Sequence, residues 1–347
     1  MTTPERVRVS FIGAGGICEQ RHLPGLQQIP GVELVAVCNR SVESSRRIQQ
    51  TWGFERIETD WRKVIDDPTV DALFIGTWPY LHRELSIAAL AAGKQVFCQA
   101  RMCLNWQEAE LMTAAAALHP QQVHMICPSP FRVRWERTVK RILSSPGFGT
   151  LLAVNVCSLS NANGNPHQVS WREQVEYSGL NILQVGIFAE TLNAWCGEMT
   201  LRSALTSIPL PEKFDSAGLR HEIQIPQTVA LTGRLPNGGN VVEYHSGLSA
   251  NIECSEITLH GSHQTCLVDF RAGNVSLFAS ETPIDRKVVE SNGDPWQVEL
   301  DFITAVRHAR RGEPWQVSPD FFEASRYMRK LQAIHDLAST ASSGSVG

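Results

Sequence analysis

Three short stretches of the sequence hold residues spaced for chemistry. In VRVSFIGAGGIC, Gly13, Gly15 and Gly16 follow an apolar run directly and lead through Ile17 into a helix. Glycines there let the backbone turn tightly and approach a pyrophosphate, whose charge is met by the amides and dipole of the helix N-terminus. Cys18 takes the third glycine position of that fingerprint, and it is small enough for close helix–strand packing. A glycine turn in an unrelated α/β protein is the alternative, but a second strand follows at the interval a dinucleotide fold requires. That strand ends in AVCNRS, so Asn39, Arg40 and Ser41 stand where a carboxylate would bind the ribose 2′-hydroxyl of NAD. A guanidinium and a hydroxyl suit a 2′-phosphate instead. The expected cofactor is NADP, with NAD less favoured; the plain alternative makes Arg40 a solvated loop charge or a stacking partner for adenine. The third stretch, VFCQARMC, delivers Gln99, Ala100 and Arg101 to the end of another strand. A guanidinium stays protonated at neutral pH, so Arg101 suits holding a carboxylate or stabilising an oxyanion and is a poor general base. Capping the strand end or pairing with Glu108 is the bland reading of Arg101.

These stretches need elements to position them. Apolar runs at 7–12, 32–37, 70–75, 96–98 and 123–126 alternate with helical segments near 17–28, 42–52, 80–92 and 105–118. That pattern predicts a doubly wound parallel sheet over residues 1–127. From 128 the texture changes to a helix near 131–144 and strand-like runs at 150–159, 222–234, 240–248, 253–260, 264–270 and 275–279, punctuated by hairpin signals. Residues 128–347 therefore read as an α+β domain with an open antiparallel or mixed sheet of five or six strands. Helices at about 179–196, 296–311 and 318–339 are expected to cover one face, and a tail over about 340–347 is expected to be flexible.

The chain has 347 residues, 43% apolar and 19% charged, with a net charge of −4, which is enough apolar material for two cores. Acidic and basic residues are mixed, so no basic stripe points to nucleic acid, and a small molecule is the expected partner. No run of about 18 apolar residues suits a membrane, the opening MTTPERVRVS lacks a signal-peptide core, and a cytoplasmic location is expected. The nine cysteines are scattered singly without CxxC pairs or zinc-type spacing, so they read as reduced core residues with no metal site.

GAGGIC, the HLPGL segment at 22–26, AVCNRS, Thr77-Trp78-Pro79 with His82, LSIAALAAGKQVFC and PDFFEASRYMRKLQAIHDLA together resemble the Gfo/Idh/MocA family of dehydrogenases. The resemblance covers nearly the whole chain. It implies an N-terminal Rossmann domain, a C-terminal α+β domain whose open sheet forms a homodimer or homotetramer, and oxidation or reduction of a sugar, cyclitol or related hydroxyl with NAD(P). It also implies that Thr77, Trp78, His82 and Gln99 lie beside the cofactor, although the spacing of His82 equally suits a structural cap.

The resemblance breaks at the chemistry. Family members usually carry Glu-Lys-Pro where this chain has Gln99, Ala100 and Arg101, and Lys94 sits at the wrong end of the strand to replace the lysine. They usually carry Asp-x-Gly-x-His where SGLNILQVGIFAETL offers Gln184, Gly186 and Phe188. On this alignment Arg101, Gln184 and Phe188, with Trp171 and Arg172 of the preceding loop, line the substrate. Arg101 and Gln99 are candidate catalytic groups, and a proton must come from elsewhere: Tyr177 first, then His167, then Glu190. Each has a plain alternative, as a packing aromatic, a surface loop residue, and a solvated helix position or core ion pair respectively. Three functions fit: an NADP-dependent oxidoreductase acting on a sugar-like, cyclitol or carboxylated polyol substrate with an atypical acid/base set; a catalytically silent NAD(P)-binding sensor or partner subunit; or an enzyme that keeps NAD(P) bound for a transient redox step.

Overall fold

The computed structural model describes residues 5–279 and 286–343. They form two compact units, one running up to Pro128 and including Gln297–Ser325, the other comprising Ser129–Trp296 and the chain from Arg326 onward.

The first unit holds β1 (Val7–Ile12), β2 (Val32–Cys38), β3 (Arg56–Ile57), β4 (Ala72–Ile75), β5 (Gln95–Cys98) and β6 (His124–Ile126), linked by α1 (Leu23–Gln27), α2 (Val42–Trp52), α3 (Trp61–Ile65), α4 (His82–Ala91) and α5 (Trp106–Leu118). Its strands are parallel in the order β3-β2-β1-β4-β5-β6, so the winding reverses between β1 and β4. Ligands of such sheets bind in the crevice at that reversal, beyond the carboxyl ends of the strands. The strand ends are level, because Ile12, Ile75, Cys98 and Ile126 form one row across the sheet. One row earlier, Phe11, Phe74 and Phe97 stack ring on ring at 4.9 and 4.5 Å. Side-chain caps start the helices: Ser41 accepts from the Ser44 amide at α2, and Asn105 from the Glu108 amide at α5. The sequence reading lacks β3 and α3, which are too short to show a period.

The second unit comprises α6 (Pro130–Leu143), β7 (Leu151–Leu159), α7 (Val175–Ser178), α8 (Val185–Cys196), β8 (Thr200–Ser207), β9 (Glu212–Phe214), β10 (Arg220–Glu222), β11 (Thr228–Arg234), β12 (Asn240–Ser246), β13 (Cys254–Gly261), β14 (Gln264–Asp269), β15 (Asn274–Ala279) and β16 (Arg286–Glu290). Eight strands form one mixed sheet, β16-β15-β14-β13-β7-β12-β11-β8, in which only the β7–β12 pair is parallel. This exceeds the five or six strands expected. The extra edges are β8 and β16, whose sequences TLRSALTS and RKVVE lack a clear apolar alternation. Val154, Val156, Ile257 and Leu259 face a core shared with Trp135 and Val139 of α6 and with Phe188 and Trp195 of α8. Residues of the opposite face, including Leu205, Val242 and Tyr244, are exposed.

Two helices complete the chain, α9 (Val298–Arg310) and α10 (Phe321–Ser343). The sequence reading assigns everything after 127 to the second domain, but residues 297–325 return to the first unit. The reason is the apolar face of α9, whose Phe302 stands edge-on to Phe74 and Phe97 at 5.3 and 5.5 Å. The expected flexible tail falls partly on α10, which continues to Ser343, and residues 344–347 lie outside the described residues. Further along α10, Lys330 Nζ donates to Glu243 at 2.6 Å, and His245 Nε2 meets the other carboxylate oxygen at 3.1 Å. Burial alone would push the Glu243 carboxyl up, but Lys330 and His245 outweigh it and hold its pKa down at about 2.

That shift has a sign. The folded-state pKa of Glu243 lies below its ordinary value of 4.5, so its contribution to stability is complete above about pH 4.5 and disappears as the pH falls toward about 2. Acid unfolding followed by circular dichroism should show this loss. Lys330→Met, which leaves a buried carboxylate without its cation, should cost about 3–5 kcal/mol at neutral pH and flatten the acid dependence over that window. An unchanged acid profile in the variant would contradict the assignment.

Candidate functional site

The carboxyl ends of β1 and β4 meet at Gly13, whose φ is +85° and whose missing Cβ would lie 2.6 Å from the Thr77 amide nitrogen. No other residue fits there. By contrast, a Cβ on Gly15 or Gly16 would meet nothing within 4 Å, so both glycines border open space just before the helical turns Cys18–His22 that lead into α1. The Thr77 hydroxyl is buried without a hydrogen-bond partner. The Gly13, Ala14 and Gly15 amides already donate to the Cys38 carbonyl, Asn39 and the Gly13 carbonyl, so it is the open space at Gly15 and Gly16 and the unpartnered Thr77 hydroxyl that suit a phosphate-bearing ligand. Cys18 fills the third position as the sequence suggests: its sulfur packs on Gly76 and donates to the Gly13 carbonyl, and burial pushes its thiol up to about 12.

At the end of β2 the three expected cofactor residues have unequal freedom. The Asn39 side chain accepts from the Ala14 amide at 2.7 Å and donates to Ser44, tying β2 to the glycine loop. Ser41 is the cap of α2. Arg40 is exposed, its guanidinium 5.8 Å from the centre of the Trp78 ring.

Two buried histidines brace the neighbouring loops. His82 is fully buried, with Nε2 2.9 Å from the Thr77 carbonyl and Nδ1 2.9 Å from that of Arg101. Burial pushes its pKa down, against the backbone carbonyls that favour the charged form. The expected direct cofactor contact therefore gives way to the structural alternative, since the ring ties the β4 loop to the β5 loop from behind. His22 went unnoticed in the sequence as a functional residue. Its Nδ1 lies 2.5 Å from Glu299, and the Gln99 amide donates to its Nε2. That donor assigns the ring proton to Nδ1, pointing at the carboxylate. A glutamate at 99 would offer acceptors only and set two carboxylates on one imidazole, whereas glutamine supplies the donor. Gly25 makes room for Glu299, because a Cβ there would lie 2.8 Å from its carboxylate.

Gln99 is buried beyond β5, and Arg101 is half-buried two residues later. Glu108, the partner considered for Arg101, accepts from the Leu104 amide and pairs with Arg83 at 3.3 Å. Lys94 remains at the far end of β5, donating to the Asp67 and Val70 carbonyls.

In the second unit, Trp171 and Arg172 stack, with the guanidinium 4.4 Å from the ring centre. A capping box between Ser170 and Glu173 fixes that turn, and Glu173 is anchored by a buried ion pair with Lys213 at 2.8 Å. Tyr177 is half-buried in α7, and Gln184 is exposed at the start of α8, accepting from Ser158 at 3.4 Å. Two expectations need correction. Phe188 is 0% exposed among Phe131, Phe270 and His245, so it belongs to the core rather than to a substrate surface. Glu190 is no proton donor to solvent: it is buried, accepts from the Ser129 amide and pairs with Arg132 at 2.8 Å. His167 is an exposed loop residue with its ring beside Phe214.

Residues 7–126 match the oxidoreductase family, NAD-binding Rossmann fold, of the Gfo/Idh/MocA type. A solved levoglucosan dehydrogenase in complex with NADH and L-sorbose has the same fold, with a TM-score of 0.85 at 20% identity over 96% of this chain and 97% of that one. The family match is confined to residues 7–126, and the solved structure extends the likeness of fold to nearly the whole chain. Among its relatives, levoglucosan dehydrogenase of Pseudarthrobacter phenanthrenivorans is 28% identical over 53% of this chain and 47% of its own length. D-apiose dehydrogenase of Paraburkholderia graminis is 28% identical over 73% and 62% respectively. The match thus spans about half of the first relative and under two thirds of the second. Among the described residues no helix is long and apolar enough to cross a membrane.

The two glycines should separate experimentally. Gly15→Ala should leave thermal stability within about 0.5 kcal/mol and weaken dinucleotide binding, because its methyl group intrudes only on open space. Gly13→Ala should lose both. Melting curves and fluorescence titration with NADPH distinguish these outcomes, and unchanged NADPH binding by Gly15→Ala would contradict the placement.

Proposed function

We propose that the chain is an NADP-dependent oxidoreductase acting on a hydroxyl of a sugar-like, cyclitol or carboxylated polyol substrate. The observation that carries this reading is the edge at Gly13, Gly15, Gly16 and Thr77, which has open space and an unpartnered hydroxyl where a pyrophosphate would lie. Relatives named for levoglucosan and apiose support the sugar-like substrate class. The preference for NADP over NAD rests on the lack of a carboxylate after β2 and on exposed Arg40, since Asn39 and Ser41 have structural partners already.

When bound, the cofactor supplies or accepts the hydride. The chain's own part is to orient the substrate and move the hydroxyl proton. We assign Arg101 to an anionic group or developing oxyanion of the substrate, Trp171, Arg172 and exposed Gln184 to its polar groups, and Tyr177 Oη to the proton. Gln99 positions the β5 loop through His22. Oligomerisation as a homodimer or homotetramer would cover Leu205, Val242 and Tyr244 on the open sheet face.

A second reading has its own support: Ala100 and Phe188 stand where family members carry titratable groups, and Phe188 is sealed in the core. That favours a silent NAD(P)-binding sensor or partner subunit. Turnover of sugars, sugar acids and cyclitols with NADP⁺ separates the two. The oxidoreductase reading expects a substrate whose kcat falls about 10²–10⁴-fold in Tyr177→Phe and whose KM rises in Arg101→Ala. It expects Arg40→Ala to weaken NADPH binding about tenfold or more, as loss of a charged hydrogen bond does. NADPH binding without turnover of any compound favours the silent protein, and tighter binding of NAD than of NADP removes the role given to Arg40.

A further inference from the structure

Cys157 and Cys254 are 97 positions apart and look unrelated in the sequence, yet the register of the large sheet makes them neighbours. Cys157 of β7 lies directly opposite Glu256 of β13, and Cys254 precedes Glu256 by two residues on the same strand. A strand turns alternate residues to one side, so all three side chains stand on the face away from the helices, in the row that also holds exposed Tyr244. Their sulfur and carboxylate atoms all lie within 4.8 Å of one another. Six of the nine thiols are buried, whereas these two and Cys196 are half-buried. The expectation of core cysteines fits the six buried ones, whereas the spacing within this cluster is set across strands rather than along the sequence.

We propose that Cys157, Cys254 and Glu256 form a zinc site on the open face of the second unit. Two thiolates and a carboxylate suit a borderline-soft divalent ion. Tetrahedral bonds of about 2.3 Å to sulfur and about 2.0 Å to oxygen place ligand atoms roughly 3.5–3.8 Å apart, which this cluster reaches by side-chain rotation. Three protein ligands leave the fourth position to water. A thiol binds a metal ion only as the thiolate, so it must give up its proton on binding. Loading therefore displaces protons: each S–H bond breaks as a Zn–S bond forms, both protons leave to solvent, Glu256 binds as the carboxylate, and no electron is transferred. The ion would tie β7 to β13 at the middle of the sheet.

The test is titration of the reduced, full-length chain with Zn(II), and with Co(II) as the spectroscopic probe. The expected result is one ion bound per chain with release of two protons, and a thiolate-to-Co(II) charge-transfer band. Cys157→Ser and Cys254→Ser should each abolish the band, and Glu256→Gln should weaken binding by at least the roughly tenfold that an outer-shell contact is worth. X-ray absorption on the zinc-loaded wild-type chain needs no variant, and should show two sulfur ligands at about 2.3 Å with oxygen completing the shell. A shell without sulfur, a shell with three or more sulfurs, failure to bind stoichiometric Zn(II), or a band that persists in the Cys157→Ser/Cys254→Ser double variant would each overturn the proposal.

Discussion

Phe11, Phe74 and Phe97 stack across three adjacent parallel strands, and the candidate site depends on that column. Each aromatic contact is worth about 0.5–1.5 kcal/mol beyond the area it buries, and its larger effect is on register. With the rings level, Ile12, Ile75 and Cys98 are level one row later, and the next residues to emerge are Gly13, Gly76 and Gln99. A slip of one residue in any strand would turn every side chain to the other face and move the glycine turn away from Thr77. Phe302 of α9 seals the column edge-on, which is why the chain must return to the first unit after building most of the second.

Behind the level edge lies a second layer of constraint made of hydrogen bonds. Asn39 ties the end of β2 to the glycine loop, His82 ties the β4 loop to the β5 loop, and Gln99 reaches His22 and, through it, Glu299. These groups are buried and their polar atoms are spent on one another, so they hold loops in place rather than offering themselves to a ligand. Toward a ligand the first unit presents the Thr77 hydroxyl and the open space at Gly15 and Gly16. In the second unit the core takes Phe188 and Glu190, leaving Tyr177, Gln184 and the Trp171–Arg172 stack nearer the surface.

The sequence makes legible what is contiguous. The glycine turn and the ends of β2 and β5 each lie within a few residues, and the structure brings all three to the carboxyl edge of one parallel sheet. It hides what depends on distant pairing. His22 and Glu299 are 277 positions apart, and a histidine in a helix start carries no sign of a carboxylate that far along the chain. Edge strands β8 and β16 escape notice because an edge demands little burial. Phe188 reads as a substrate residue by alignment alone; only packing shows that an aromatic ring four residues into α8 turns inward against Phe131 and His245.

The central claim is that the level ends of β1, β2, β4 and β5 make one dinucleotide-binding edge. Amide hydrogen exchange on the full chain with and without NADPH tests it most directly, because exchange reads each loop separately. The account predicts added protection at residues 13–17, 39–41, 76–78 and 99–101 together. Protection confined to other segments, or no change at the glycine turn at saturating NADPH, would contradict it.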